Sequence, residues 1–211
     1  MKESQPTKIF LIRHGQSEWN GTKRISGQLD PPLSKKGMKQ ARALEKAIRS
    51  EKLSAIYTST LQRSIETARP TAEHHRISIQ KKEAFMEIHL GILQGRFRDQ
   101  RDLEAQRLWI ARSADRLTYR IPGGETFSEL EQRVAPCINE ILQKEAGGVV
   151  LIVGHRNTNR AILGALMRWT SNSVLGLKLS SKYLYEITLG DDPSIKTISL
   201  DENLKYDGFK V

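Results

Sequence analysis

At 211 residues the chain is long enough for one substantial domain with its own core, and we expect a single domain spanning residues 1–211. The sequence begins without the apolar core of a signal peptide and has no stretch long enough to span a membrane, and its one cysteine, Cys137, excludes an internal disulfide and a cysteine-based zinc site. The formal net charge of +10 favours an anionic partner, either nucleic acid or a small phosphorylated or carboxylated molecule.

The first half of the chain alternates predicted strands and helices. An apolar run predicts a strand over residues 7–12, and helical spacing of apolar residues predicts a helix over 34–49 with Ser34 as its N-cap. A short strand is expected over 55–58, followed by a helix that begins near Ser59 or Thr60. A third strand is expected over 77–79 and a further helix over 98–113.

The second half continues this alternation. Thr126 and Glu129 have the spacing of a capping box, which predicts a helix start after a Pro-Gly-Gly turn, and Pro136 inside that helix predicts a kink or a break. The remaining elements are the most apolar strand at 149–153, a helix at 156–169, and late strands at 183–189 and 195–200. This order predicts an α/β fold, a three-layer α/β/α sandwich with a mainly parallel central sheet.

Three predicted strand ends carry side chains suited to phosphate chemistry. The first ends in Arg13-His14-Gly15, the second runs on to Arg63, and the most apolar one ends in Gly154-His155-Arg156-Asn157. The carboxyl ends of parallel strands meet at one edge of a sheet, where ligands bind, and a helix that begins at 156 would offer its first amides to an anion. If these ends converge, they predict a pocket for a dianion such as a phosphoryl group.

Each of these residues taken alone also has an ordinary structural explanation. A single histidine after a strand is typical of a turn or a cap, and a single arginine such as Arg63 is typical of a solvated helix face. Two histidines at two apolar strand ends, both beside arginines, favour a site instead. His74, His75 and His89 lack such a context, so we interpret them as surface or structural residues.

Several motifs follow one another in a fixed order along the chain. They are LIRHGQSEWN at 11–20, Gly27 with DPPLS at 30–34 and Gly37, YTSTLQRSIETA at 57–68, EIHLG at 87–91 with Gly95, PGGET at 122–126 and VGH at 153–155. Together they resemble the histidine phosphatase superfamily, the phosphoglycerate mutase-like proteins. The resemblance covers nearly the whole chain and implies a phosphoglycerate mutase-like fold.

The resemblance also implies a role for five residues in catalysis. His14 would be the nucleophile that forms a phosphohistidine, and Glu87 would protonate the leaving oxygen and then activate water. Arg13, Arg63 and His155 would clamp the phosphoryl oxygens. The implied substrate- and phosphate-binding set adds Asn20, Gly27, Arg156 and Asn157. No metal or cofactor is expected, since the arginines take the role that magnesium has in many phosphoryl-transfer sites.

The family contains phosphatases and cofactor-dependent mutases, and the resemblance favours a phosphatase. Mutases usually carry a longer insertion between the acid motif and the Pro-Gly-Gly turn, whereas only residues 91–121 separate them here. Leu93 and Gln94 stand where a tryptophan and an acidic residue are frequent, and Arg156 stands where a small residue is usual. The substrate stays open among phosphoglycerate-like acids, sugar phosphates, nucleotides, phosphoserine and alpha-ribazole phosphate.

Residues 91–121 are expected to form a cap over the strand ends that sets specificity. Between 96 and 120 the chain has seven arginines against four acidic residues, with Phe97, Trp109 and Tyr119 among them. This composition is typical of a solvated helical face; the alternative is that one or two arginines hold a second anionic group of the substrate. Trp109 is expected to pack in the core or the cap.

A catalytically silent module that binds anions or nucleic acid is the alternative of another class. The complete set of five predicted catalytic residues argues against it, and the lysines and arginines are spread along the chain rather than gathered in a tail. We therefore expect a small-molecule phosphomonoester as the partner, no membrane and no nucleic acid, and a cytoplasmic monomer or homodimer.

Overall fold

The computed structural model describes residues 5–202 and 204–210, and within them the chain forms strands and helices in alternation. The strands are β1 (Thr7–Arg13), β2 (Ala55–Thr58), β3 (Ile79–Lys81), β4 (Val149–Gly154), β5 (Tyr183–Leu189), β6 (Ser194–Ser199) and β7 (Lys205–Asp207). The helices are α1 (Lys35–Ile48), α2 (Gln62–His75), α3 (Leu103–Ala114), α4 (Phe127–Lys144), α5 (Arg156–Met167) and α6 (Ser171–Leu175). Short 3₁₀ turns cover Glu83–Phe85 and Gly91–Leu93.

The strands form one sheet in the order β3-β2-β4-β1-β5-β6-β7. β3, β2, β4 and β1 pair in parallel, and β5, β6 and β7 extend the sheet beyond β1 through antiparallel pairings. This arrangement confirms the predicted α/β class. Although β4 comes late in the chain, it lies between β1 and β2, so the three strand ends with the predicted chemistry are neighbours.

Helices cover both faces of the parallel half of the sheet. Successive side chains of a strand point to opposite faces, so Phe10 and Ile12 pack in one core with residues of α1 and α2. Ile9 and Leu11 pack in the other core with residues of α4 and α5. All four side chains are buried, which explains why β1 reads as a continuous apolar run rather than as an alternation.

Several predicted element boundaries are shifted in the structure, and two elements were not predicted. α2 begins at Gln62 rather than near Ser59 or Thr60, and its first amide donates to the carboxylate of Asp30 (2.5 Å). α3 begins at Leu103 rather than at 98, because the side chain of Asp102 caps the amide of Ala105. The short elements α6 and β7 lacked a sequence signal.

A kink or a break was predicted at Pro136, and the break does not occur. α4 runs from Phe127 to Lys144, and the predicted capping box of Thr126 and Glu129 is present at its start. The helix buries Val134, Ile138 and Ile141 against the sheet. This packing outweighs the one hydrogen bond that the proline cannot donate.

No helix within the described residues is both long enough and apolar enough to cross a membrane.

Candidate active site

The strand register brings the two predicted histidines together. Arg13 of β1 lies beside Gly154 of β4, so the next residues, His14 and His155, follow at the same edge of the sheet. The His14 amide donates to the Gly154 carbonyl (2.9 Å), and the two imidazole ring centres are 5.0 Å apart. The parallel pairing of β1 with β4 therefore builds the centre of the site.

His14 is 4% exposed and its surroundings keep it neutral. Burial, followed by the charges of Arg13 and Arg63, lowers its pKa well below the ordinary value. Its Nδ1 lies 2.7 Å from the Gly15 carbonyl oxygen, which can only accept, so Nδ1 carries the proton. The Nε2 lone pair of His14 is then free to act as a nucleophile.

The loop after His14 is held by close backbone packing and by Thr67, for which no role was predicted. A Cβ on Gly15 would lie 2.6 Å from the carbonyl oxygen of Gly37, at the start of α1, so only glycine fits. The Gly15 amide donates to the Thr67 hydroxyl (2.9 Å), which donates to the Arg63 carbonyl (2.7 Å). Thr67 thus links the loop after His14 to the motif that contains Arg63.

His155 is fully buried and is oriented by Ser59, a second residue without a predicted role. The Ser59 hydroxyl accepts from the amide of Leu61 (3.2 Å) and lies 2.8 Å from Nε2 of His155, to which it can donate. Nδ1 of His155 is buried without a hydrogen-bond partner in the described structure. In this tautomer Nδ1 is the proton donor, available to a phosphoryl oxygen. Burial, followed by the charge of Arg63, lowers the pKa of His155.

Arg63 is 2% exposed and fixes the loop at 27–30 beside the histidines. Its Nη1 donates to the Leu29 carbonyl (2.5 Å) and to Asp30 (3.2 Å), and its Nη2 donates to the Gly27 carbonyl (2.7 Å). Its buried Nε has no partner in the described structure, which leaves a donor for substrate. Gly27 lines the cleft in the left-handed conformation at φ +53°.

Arg13 and Arg156 add positive charge at the ends of β1 and β4. Burial, followed by the charge of Arg156, lowers the pKa of Arg13 to about 9, so Arg13 stays protonated at neutral pH. Its Nε is buried without a partner among the described residues. Arg156 is the exposed first residue of α5, and both arginines line the same cleft as His14.

Glu87 lies at the start of α5 and lines the same cleft as the arginines. Its carboxylate accepts from the amide of Ile88 (2.9 Å) and from the amide of Asn157 (3.2 Å to Oε1 and 3.4 Å to Oε2). The helix N-terminus that was predicted to hold phosphate therefore holds the predicted acid here. The Asn157 side chain accepts from Arg160 (3.0 Å).

An open cleft joins these groups. Its lining includes all of the predicted site residues except His155, which is buried behind His14. Asn20 lines the cleft, and its side-chain oxygen accepts from the amide of Ser17 (2.8 Å), which leaves its NH₂ group for substrate. Seven lining residues come from outside the predicted site set: Lys23, Arg24, Ile25, Ser26, Leu90, Arg98 and Trp109.

Gln94, which stands where the family often has an acidic residue, has a structural role. Its side-chain oxygen accepts from the amide of Gln28 (2.7 Å), and the Gln28 side chain donates to the Glu87 carbonyl (3.0 Å). His89 accepts from the amide of Gly91 (3.2 Å), so its predicted structural role fits. A neutral amide thus supports the acid loop where the family often has a carboxylate.

Within the described residues, no group of three or more His, Cys, Asp or Glu side chains is placed to hold a metal ion. The candidate anion-binding groups are instead the arginines, the histidines and the NH₂ group of Asn20.

Comparison with known proteins indicates one family, and the similar proteins include one named as a mutase and one named as a phosphatase. The sequence profile of the histidine phosphatase superfamily (branch 1) matches residues 9–198. The probable phosphoglycerate mutase GpmB of Serratia proteamaculans is 33% identical over 171 residues, which are 81% of this chain and 75% of that protein. The solved structure of Bacillus stearothermophilus YhfR has a TM-score of 0.78 at 28% identity and covers 88% of this chain and 92% of its own. Mycobacterial glucosyl-3-phosphoglycerate phosphatase has a TM-score of 0.78 at 26% identity and covers 87% of this chain and 91% of its own.

Proposed function

Since this chain belongs to the histidine phosphatase superfamily, we propose that it is a metal-independent phosphomonoester hydrolase that acts on a small anionic phosphorylated metabolite. The observation that carries this proposal is a buried, neutral His14 whose Nε2 is unprotonated, beside Arg13 and the partner-free Nε of Arg63. These groups are what in-line attack on a phosphoryl group needs, because charge stabilisation and positioning supply most of the catalysis.

The proposed reaction has two steps. Nε2 of His14 attacks phosphorus, the P–N bond forms, and the P–O ester bond breaks while the protonated carboxyl of Glu87 gives its proton to the leaving oxygen. Water then attacks the phosphohistidine and gives a proton to the Glu87 carboxylate, the P–N bond breaks, and phosphate is released. Arg13, Arg63 and Nδ1–H of His155 stabilise the charge on the phosphoryl oxygens in both steps.

The test is phosphate release from 4-nitrophenyl phosphate in excess EDTA, with wild-type protein and with His14→Ala. We expect turnover by the wild type and a fall of at least about a thousand-fold in the variant, because its nucleophile is missing. His74→Ala, at an exposed histidine on α2, is the matched control and should keep wild-type turnover. Turnover that persists in His14→Ala would contradict the phosphohistidine route, and absence of turnover in the wild type would contradict the general phosphatase.

A phosphoglycerate mutase is the second candidate, because the Serratia relative is named as a probable one. The short segment between the acid motif and the Pro-Gly-Gly turn favours the hydrolase, since it offers less chain to shield a phosphoenzyme from water. Phosphorus NMR of 3-phosphoglycerate separates the two: a mutase exchanges phosphate between positions with little free phosphate, whereas a hydrolase accumulates free phosphate.

A silent binding module is the candidate of another class, and its support is the net charge of +10. It requires binding of nucleic acid that weakens steeply with added salt and is indifferent to His14→Ala. The arrangement of His14 and Glu87 on one cleft, with His155 buried beside His14, favours the enzyme instead.

We further propose that the protein acts in the cytoplasm as a monomer or homodimer with its substrate as the principal partner. Its one cysteine, Cys137, is buried and unpaired, which fits a reducing compartment. Size-exclusion chromatography with light scattering would measure the oligomeric state.

A further inference from the structure

The seven arginines between 96 and 120 fall into three groups: three with an ion pair, one that is exposed without an ion pair among the described residues, and three that are buried or half-buried without one. Three are neutralised by the protein itself, since Arg96, Arg101 and Arg120 form ion pairs with neighbouring carboxylates at 2.5 to 2.8 Å. Arg107 is exposed on α3. The remaining three, Arg98, Arg112 and Arg116, have no carboxylate within ion-pair distance among the described residues, and their charge is left for something else to balance.

Arg98 and Arg156 stand together on the wall of the catalytic cleft. Both line it, and the Arg98 guanidinium carbon lies 4.9 Å from the ring centre of Trp109, which also lines it. Burial lowers the pKa of Arg98, and the charge of Arg156 lowers it further, so the two guanidinium groups are close enough to repel. Neither is held by a carboxylate in the described structure.

Arg112 lies behind this wall and is 4% exposed, yet it has no carboxylate partner among the described residues. Its guanidinium carbon is 6.0 Å from the ring centre of Trp109, so Arg98 and Arg112 both lie near the same indole, and within the described structure its buried Nη2 has no hydrogen-bond partner. Buried guanidinium groups are normally paired. The one charge that raises the pKa of Arg112 against its burial is the carboxylate of Glu87 inside the cleft.

The whole cleft has more positive charge than one phosphoryl group balances. Its lining has six lysine or arginine side chains and a single carboxylate, Glu87. A phosphoryl dianion between Arg13 and Arg63 neutralises about two positive charges, and Arg63 is already paired with Asp30. The remaining cations repel one another, and a further anion in the cleft would offset this repulsion.

We propose that Arg98 and Arg156, backed by Arg112 across Trp109, form a subsite for a second anionic group of the substrate. The subsite adjoins the phosphoryl pocket and takes a carboxylate or a phosphate, both of which suit the planar guanidinium fork. The substrate class is then a phosphomonoester with a second negative charge on its carbon skeleton. This inference rests on the proposed hydrolase function, because it takes the phosphoryl group to lie at His14.

The experiment compares two ligands that differ only at the group in question. Calorimetric titrations use 3-phosphoglycerate and glycerol 3-phosphate, which carry a carboxylate and a hydroxymethyl group at the same carbon. The protein carries His14→Ala so that neither ligand is consumed. We expect 3-phosphoglycerate to bind at least about ten-fold more tightly, the size of one charge-assisted hydrogen bond.

Second substitutions then assign that preference to residues. With Arg98→Gln or Arg156→Gln added, we expect the affinity ratio of the two ligands to fall by about ten-fold. Arg107→Gln removes the same charge from the exposed face of α3 and should leave the ratio unchanged, which controls for the long-range field.

Three results would overturn the subsite: a ratio near one in the parent protein, a ratio unaffected by both substitutions, or binding of neither ligand at millimolar concentration. The test does not depend on turnover. A binding preference for 3-phosphoglycerate without phosphate release by the wild type would contradict the hydrolase proposal but support the subsite. Phosphate release without a binding preference would support the hydrolase proposal but contradict the subsite.

Discussion

At the scale of single residues, uncharged neighbours determine which ring nitrogen of each buried histidine carries the proton. The Gly15 carbonyl holds the proton of His14 on Nδ1, and the Ser59 hydroxyl can do the same for His155 by donating to its Nε2. Burial, followed by the charges of the surrounding arginines, lowers both pKa values, so neither histidine has to lose a proton before it acts at neutral pH. Ser59 is therefore as much a part of the site as the charged residues.

Replacing Ser59 tests this arrangement. In Ser59→Ala, Nε2 of His155 loses its partner, so the ring no longer has a fixed donor on Nδ1. We expect kcat/KM for 4-nitrophenyl phosphate to fall by about ten- to a hundred-fold, with the folded state retained. Nitrogen-15 NMR should show a mixture of His155 tautomers in the variant and one tautomer in the wild type.

Thr60→Ala is the matched control, because it removes a hydroxyl from the exposed neighbouring position. It should change neither kcat/KM nor the tautomer. Equal activities of the wild type and Ser59→Ala would show that Ser59 does not orient His155.

At the scale of elements, α4 fixes the loop that carries the predicted acid. Arg133 of α4 donates to the carbonyls of Ala84 (2.5 Å) and Met86 (2.9 Å), and it forms a bidentate pair with Glu125 (2.8 and 3.0 Å). α5 adds a bond from the Thr158 hydroxyl to the Met86 carbonyl (2.8 Å). The position of Glu87 is thus set by two helices, α4 and α5, that pack on the same face of the sheet.

Arg133→Lys keeps the charge but removes the guanidinium fork, so the acid loop loses several bonds. We expect kcat for glycerol 3-phosphate to fall at least about ten-fold more than kcat for 4-nitrophenyl phosphate. An alkoxide leaving group needs the proton of Glu87, whereas nitrophenolate leaves almost without it.

The comparison of leaving groups separates positioning of the acid from general damage. Arg69→Lys, at an exposed arginine on α2, should leave both kcat values unchanged. Equal losses for the two substrates in Arg133→Lys would mean that Arg133 supports the fold rather than the acid.

At the scale of the whole molecule, the site weakens the fold in acid. The pKa values of His14 and His155 are lowered on folding, mainly by burial, so both are neutral in the folded protein, whereas the unfolded chain binds protons at these residues below about pH 6.5. The free energy of unfolding therefore falls as pH decreases below 6.5, because the unfolded state then binds more protons.

Urea unfolding measures this dependence. Between pH 7.5 and pH 5.5 we expect the wild type to lose about 2 to 3 kcal/mol from these two histidines, and His14→Asn to lose about half as much from them. His75, whose pKa is also lowered on folding, contributes equally to both proteins. An unchanged pH dependence in His14→Asn would show that His14 is not held neutral by the fold.

The sequence by itself determined the elements whose signals are local. The apolar runs of β1 and β4, the caps at Ser34 and Thr126, and the residues at the strand ends are encoded within a few positions of where they act. Because parallel strands align their carboxyl ends, this local information was enough to predict one site around His14 and His155.

Only the tertiary structure decided which of many similar side chains belong to the candidate site. Arg98 and Arg101 lie three residues apart in one arginine-rich segment, yet Arg101 donates to the distant carbonyl of Thr22 (2.6 Å) while Arg98 lines the cleft. Likewise Ser59 and Thr60 are adjacent hydroxyls, of which one reaches His155. The physical reason is that pairing and burial depend on residues distant in sequence, whereas propensity and hydrophobic period record only near neighbours. The same reason explains Pro136, where packing against the sheet overrides a local preference.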